Sequence, residues 1–507
     1  MNTANKVILN TAVTCVTLIV KMAIGFFSVR IILQALGEES YGVYMLVAGV
    51  AGMLDILNGS MITTSMRYLA HSLGSGCESL VKRTFSTTLA IHYLVGTVTI
   101  LLMEVGGFVM FEWFLNIPVE CLFAAKVVYQ FMVISMFISI IAVPYDAVMN
   151  AHEHIWILSL FDIVGALLNL AMAVYLLYCG FDRLIAYGLL VLLIQVFLRI
   201  AKVWFCKRHY LECINNSIKS FDRKMAKEIF SFTGWSLFGS LAALGSTQFR
   251  ALFINGFFGV RLNAAEGVSR QASGYVNMFA ASMTRAINPQ IMKSEGGGDR
   301  VRMIRVCEIG AKYSSFLFAL IGIPVILEAS YLLTLWLKEV PEYTVIFCQL
   351  IMIQMLIEKF TFQITHAIRA VGNIRGFQVM ESIFCLLYLP FAYFLFKAGY
   401  DATWIYWLSI IDSLAVAIVR LFYGYKIVQI NVWLYIKNAI IPIILPLGMS
   451  VGFCLAITNV VEESLSRVVL NILLFCILFI SLFCLLGMNS AERGKWIGIV
   501  KNIKIKV

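Results

Sequence analysis

The chain has 507 residues, of which 61% are hydrophobic and only 13% charged; its mean hydropathy is +0.88 and its formal net charge +11. Soluble domains are nearer roughly 45–50% apolar and 25% charged, so a soluble enzyme, a disordered chain and a nucleic-acid-binding domain are excluded. A transmembrane β-barrel is disfavoured too, because its strands alternate apolar and polar residues, whereas the apolar runs here last roughly 20–28 residues, enough to cross a hydrocarbon core about 30 Å thick as helices.

In chain order, apolar runs separated by short polar breaks predict about fourteen membrane helices. The first six cover 11–35, 42–69, 85–112, 121–149, 156–179 and 184–206. After a polar loop come 230–257, 264–288, 308–336, 343–369, 377–397 and 403–424, and then 437–459 and 466–487. The stretch Met1–Asn10 has one Lys and no small-residue cleavage pattern, so the first run reads as a retained helix. Alternate breaks hold the basic residues: Lys82 and Arg83; Lys207, Arg208, Lys219, Arg223, Lys224 and Lys227; Lys293, Arg300, Arg302 and Arg305; Arg375; Lys426; and the tail from Arg493 to Lys506. The other breaks lean acidic, with Glu38, Glu39, Glu112, Glu120, Glu339, Glu342, Asp401, Glu462 and Glu463. The positive-inside rule then places both termini in the cytoplasm of a multi-pass protein. The net charge of +11 becomes a topology signal, and no nucleic-acid partner is expected.

The outer breaks are all short, so no enzyme and no external binding module is expected. The twelve Cys show no metal-ligand spacing and read as small reduced core residues; neither a metal nor a cofactor is implied. The loop 207–229 and the tail from Gly494 mix Lys/Arg with apolar residues, as an interfacial amphipathic segment or a solvated linker would.

The two halves echo one another at an offset of about 220 residues. Trp113 to Pro118 matches Trp336 to Pro341, and Glu104 matches Glu328. Asp146 matches His366, Asp162 matches Glu381, and Gly180-Phe-Asp182 matches Gly399-Tyr-Asp401. Arg199 pairs with Arg420 and Arg30 with Arg250. The repeat divides the chain into an N-lobe of six helices (1–206), a cytoplasmic linker (207–229), a C-lobe of six helices (230–424), and a final pair with a basic tail (425–507). Each repeat has an even number of helices, so the lobes share one orientation and their symmetry axis runs along the membrane normal. Two such lobes predict a cleft worked by alternating access.

A charge at mid-span costs about 2.5–3.5 kcal/mol on the insertion scale, so those tolerated there mark a wet cavity or paired partners. The candidates are Lys21, Arg30, Asp55, Glu104, Arg250, Glu328, Glu358, Lys359 and Asp412. Arg30 and Arg250 come from matching helices, and their fixed donor forks suit a phosphate or pyrophosphate. The competing reading is a structural Arg bonded to carbonyls or an acid. Lys21 lies nine residues before Arg30, on the opposite face of an ideal helix, and Gly25 offers a bend between them. Glu266 and Arg270 are four apart and can pair on one helix face. Asp55, Glu358 and Asp412 are deep acids of the kind that carry a proton or hold Na⁺. Arg67, Arg199, Lys202, Arg285 and Arg420 lie near cytoplasmic ends, where snorkelling to headgroups is expected. Asp146, Asp162 and Glu381 should bond within their own lobe. Aromatic residues such as Trp235, Tyr275, Trp404 and Tyr406 read as core or interfacial belt with some capacity to stack on sugars.

The run Arg30-Ile-Ile-Leu-Gln-Ala-Leu-Gly37-Glu-Glu-Ser-Tyr-Gly42, the outer Trp…Pro segments and the six-plus-six arrangement resemble the Wzx-type polysaccharide flippases. That family belongs to the MOP superfamily, with the MATE drug exporters and the lipid II flippases. The resemblance implies an all-α polytopic protein of two MATE-like lobes with a cationic cavity. It implies transport of an undecaprenyl-diphosphate-linked oligosaccharide, such as an O-antigen unit of lipopolysaccharide, to the outer leaflet of the bacterial inner membrane. An H⁺ or Na⁺ gradient would drive it, and a polysaccharide polymerase and chain-length regulator would be partners beside membrane lipids. On that reading Arg30, Arg250, Lys21 and Arg270 hold the diphosphate, while Asp55, Glu358 and Asp412 are the ion-coupling candidates. A MATE-type drug or cation antiporter and a lipid II flippase are the alternatives. Relatives are commonly described with twelve helices, so the final pair is a departure.

Overall fold

The computed structural model describes residues 3–52, 55–113, 119–214, 221–337, 340–458, 462–489 and 492–494. The outer segment 114–118, the centre of the polar loop (215–220), positions 338–339 and the tail 495–507 lie outside the described residues, as do the side chains of Asp55, Glu38 and Glu39.

The described residues form helices and turns, with no strand among them. In order the helices are α1 (Thr3–Gly52), α2 (Asp55–Gly74), α3 (Glu78–Trp113), α4 (Val119–Ala151), α5 (Ile155–Leu177), α6 (Arg183–His209), α7 (Arg223–Phe258) and α8 (Val260–Gly296). Then follow α9 (Arg300–Leu327), α10 (Ala329–Leu337), α11 (Thr344–Val371), α12 (Arg375–Lys397), α13 (Trp404–Tyr423), α14 (Val432–Tyr435), α15 (Ile441–Thr458) and α16 (Leu465–Leu482).

Twelve helical stretches among the described residues are long and apolar enough to cross a membrane, from Asn10–Gly37 to Leu465–Gly487. Two other long helices, α2 and α8, are not among them. Both are rich in Ser and Thr, whose hydroxyls fold back on the preceding turn: Thr64 donates to the Ser60 carbonyl at 2.9 Å, and Ser273 to that of Ser269 at 2.8 Å. Helices of this polarity belong against protein or water rather than lipid.

The expected second span, 42–69, is divided. Gly37 breaks the helical path inside α1 with φ 76°, a conformation that glycine adopts without strain, and the chain runs on helically to Gly52 before α2 starts at Asp55. The expected ninth span, 308–336, is interrupted at Glu328, between α9 and α10. The last pair begins earlier than expected: α14 runs through a π-helical turn into α15, and the stretch Val432–Thr458 spans as one. Asp182, Asn431 and Ser464 cap α6, α14 and α16 by accepting backbone N–H groups.

The chain clusters into two compact units: 1–240 with 288–299, and 241–287 with 300–507. In the first, α4 is the central element, touched by α1, α2, α3, α5 and α6. Tyr129, Val128 and Val133 of α4 pack with Met103 of α3 and Val43 and Val47 of α1. In the second, α11 packs on α9 and α13, and α12 lies along α13. The C-terminal pair belongs to this second unit. Phe475, Phe479 and Phe483 share a core with Phe318 of α9 and Met352 of α11. Two ion pairs fix it, the first buried and the second partly so: Arg467 to Glu328 at 2.8 Å, and Lys312 to Glu492 at 2.7 Å.

Outside the spans, the first unit holds a polar hub. His152 lies 2.7 Å from Glu212, and His154 lies 2.6 Å from the Tyr210 hydroxyl. The His152 and Tyr210 rings stack at 4.5 Å. Burial opposes ionisation of Glu212, but its hydrogen bond with His152 and the charge of Lys82 outweigh that and hold the carboxyl below its ordinary 4.5. A lowered carboxyl value contributes stability above the unfolded value, and that stability fades as pH falls through the folded one. Thermal midpoints of the wild type and of Glu212→Gln should therefore differ near neutral pH and converge in acid below about 4. A constant gap from pH 7 down to pH 3, each about that value, would contradict this account.

Candidate functional site

Of the mid-span charges, Arg250 is held in a three-membered cluster within the second unit. Arg250, near the end of α7, and Arg270, on α8, both face Glu266 of α8. Arg250 Nε lies 3.5 Å from one Glu266 oxygen and Arg270 Nη2 lies 3.1 Å from the other. The i,i+4 pairing expected of Glu266 and Arg270 is present; the second guanidinium is an addition. Glu266 is 1% exposed and Arg250 6%, whereas Arg270 is 36% exposed. A carboxylate so deeply buried needs its cationic partners. The three groups together carry one excess positive charge, and Arg270 presents it.

Aromatic and hydroxyl groups lie beside these ion pairs. The Arg250 guanidinium sits 5.3 Å from the centre of the Tyr406 ring, within cation–π range. Tyr388 donates to the Ser246 carbonyl at 3.0 Å, one turn before Arg250, and so ties α12 to α7. Gln271 donates to the Tyr275 hydroxyl at 3.0 Å. Sequence reading ranked Tyr406 only as one aromatic among several; its place beside Arg250 needed the fold.

Arg30 and Arg250, matched by the repeat, differ in environment. Arg30 is exposed on α1, whereas Arg250 is buried on its acid. Lys21 is half-exposed and lies 3.2 Å from Asp162 of α5, so its charge is already partnered. Glu104 accepts from Gln130 at 3.2 Å, whereas its match Glu328 holds Arg467.

The acids Glu358 and Asp412 lie on α11 and α13 within electrostatic reach of each other. Gln354 donates to Glu358 at 3.1 Å, and Ser409 donates to Gln354 at 3.1 Å. Ser413 completes the group with a 3.5 Å bond to Glu358. The side chain of Asp55, the third acid of that set, lies outside the described residues.

Three residues expected to snorkel do not. Arg199 and Lys202 of α6 both bond Asp146 of α4, at 2.7 and 2.9 Å, and Arg420 of α13 bonds Glu381 of α12 at 2.8 Å. Carboxylates within reach on neighbouring helices take the place of headgroups, because the attraction of opposite charges in low dielectric offsets the desolvation of both.

No family model matches this sequence, and no curated protein does. Solved structures do resemble the fold. A MATE structure in the bent conformation matches with a TM-score of 0.72 at 14% identity, covering 87% of this chain and 97% of that one. An outward-facing multidrug resistance MATE family transporter of the MOP superfamily matches at 0.70 and 13%, over 83% and 95%. A MOP superfamily transporter from Pyrococcus furiosus, described as having a binding pocket of reverse polarity that suggests a different function, matches at 0.69 and 12%, over 83% and 95%. With twelve candidate spans and this MATE-like fold, the chain is a multi-pass membrane protein.

Proposed function

We propose that the chain is a flippase that carries an undecaprenyl-diphosphate-linked oligosaccharide from the inner to the outer leaflet of the bacterial cytoplasmic membrane. The MATE-like fold supports a transporter working by alternating access. The observation that carries the anionic substrate is the pair of guanidinium groups on one carboxylate, which leaves Arg270 about one-third exposed with an unneutralised charge. Its donor fork suits diphosphate oxygens. Arg250 acts behind it by holding Glu266, and Arg30 and Lys21 are the first unit's candidates for the same chemistry. Glu358 and Asp412 are the proposed coupling acids, with H⁺ or Na⁺ as the driving ion.

A MATE-type cation antiporter has equal support from the fold, and the Glu358–Asp412 group favours it specifically. The two readings separate in cells that need a surface glycan. Arg270→Ala should lower glycan export by more than about tenfold, a loss of roughly 1.4 kcal/mol of binding, and Arg270→Lys should retain part of it. Unchanged export by a normally inserted Arg30→Ala/Arg270→Ala protein would reject the diphosphate role. Ethidium efflux lost on substitution of Glu358 or Asp412, with no effect on glycan, would establish the antiporter.

A further inference from the structure

Two consecutive spans, Trp404–Val428 and Val432–Thr458, leave only Gln429, Ile430 and Asn431 between them. A connection that short keeps both helix ends at the membrane surface, at the depth of the lipid headgroups. The path between them is specific. A π-helical turn, Gly424–Val428, closes the first span, and Gln429 then takes φ 66°, a conformation that residues with a side chain rarely adopt. Asn431 restarts the helix by accepting from the Leu434 N–H at 3.0 Å. Tyr425, Lys426, Gln429, Asn431 and Trp433 line a cavity of about 730 Å³ at this turn.

The groove offers hydrogen-bond donors and positive charge. Lys426 and Gln429 are exposed, and neither side chain bonds a described residue. The segment from Gly424 to Ile440 contains Lys426 and Lys437 and no acid. Arg300, at the start of α9, donates to the Ile427 carbonyl at 3.4 Å, so two of the basic breaks meet at one membrane face. Glu308 of α9 is an acid on this side; it accepts from Asn438 at 3.1 Å and lies in the field of Arg305 and Lys312.

The groove is also amphipathic. Tyr425 and Trp433, on its two sides, are 65% and 69% exposed. Rings with a polar edge suit the boundary between headgroups and acyl chains. Leu414, Ile418 and Phe422 are exposed on α13, and their spacing puts them in one stripe that ends at Tyr425.

We propose that this groove binds one anionic phospholipid from the leaflet on that side. Its phosphate accepts from the Lys426 ammonium and the Gln429 amide, its glycerol backbone lies between the Tyr425 and Trp433 rings, and an acyl chain follows the α13 stripe. A soluble phosphate would gain from Lys426 but nothing from the rings or the stripe, so the fitting source is a lipid. Such a lipid would be bound whatever the chain transports.

The test uses the full-length protein in phosphatidylcholine nanodiscs, with phosphatidylglycerol introduced stepwise at fixed ionic strength. A saturable rise in unfolding temperature is expected, as for any ligand of the folded state. Lys426→Ala should need about fivefold more phosphatidylglycerol for half the rise, the effect of roughly one basic residue at an anionic surface. Lys426→Ala/Trp433→Ala should show no rise. Both side chains are exposed, so the variants should unfold as wild type does in phosphatidylcholine alone. Lys437→Ala, on the same face but outside the groove, should respond as wild type does. In native mass spectra after detergent extraction, wild type should retain one more phosphatidylglycerol than the double variant. A wild type indifferent to phosphatidylglycerol, equal retention by wild type and double variant, or equal losses in Lys437→Ala and Lys426→Ala would each overturn the proposal. So would glycerol phosphate giving the full rise in pure phosphatidylcholine.

Discussion

Replacing Arg467 by Met should cost about 3–5 kcal/mol of stability, the range for removing one partner of a buried ion pair. Glu328 is fully buried, bonded by Arg467 at 2.8 Å and by the Asn471 amide. Without Arg467 its charge would keep only that amide, and the exposed Glu463, 3.6 Å from the guanidinium, would lose its attraction too. The double variant Arg467→Met/Glu328→Met removes both charges and should recover to within about 1–2 kcal/mol of wild type, since apolar replacement of a whole buried pair is often near neutral. Denaturant unfolding in nanodiscs checks both. If the single variant unfolds like wild type, the pair does not hold α16 to the end of α9. Lys312, bonded to Glu492 and to the Gly487 carbonyl at 2.9 Å, is the second attachment and should keep α15 and α16 docked while the first is cut.

Gly74→Ala and Gly296→Ala should each destabilise the first unit by about 3 kcal/mol, the upper end of ordinary overpacking. A Cβ on Gly74 would lie 2.1 Å from the Lys293 carbonyl oxygen, and one on Gly296 would lie 2.0 Å from that of His71. Both obstacles are backbone, so no rotamer change relieves them. The end of α8 is held there by more than this close crossing. Glu153, at φ 64°, bonds Lys293 at 2.9 Å and the Gln290 amide, and Asn10 donates to the Glu153 carbonyl at 3.1 Å. Gly25→Ala is the control. Its Cβ would meet nothing within 4 Å, so it should change stability by less than about 1 kcal/mol. Equal effects at Gly25 and Gly74 would show that helix propensity, not the crossing, is being read.

Helix content and span count were legible because hydropathy over about twenty residues is a strong signal. Gly37 was legible only as a break, not as a kink within a longer helical path. Local pairs were readable where helix geometry fixes the spacing, as for Glu266 and Arg270. Pairs between helices were not. Whether Arg250 was structural or free depended on an acid sixteen positions away on the next helix, and spacing alone says nothing about how two helices face each other. The same limit hid Asp146 from Arg199 and Lys202, and Glu381 from Arg420. The repeat was more informative than its individual matches.

The polarity of α2 and α8 bears on how the chain enters the membrane. A segment with several charges partitions poorly into lipid by itself, and α8 carries Glu266, Arg270, Arg285 and Lys293 in one helix. Such a helix must wait at the translocon for neighbours that can shield it, so α7 has to be retained until α8 arrives, and α1 likewise for α2. Biogenesis then becomes the step most sensitive to sequence in these two segments. Added charge there should lower the yield of inserted protein before it affects transport.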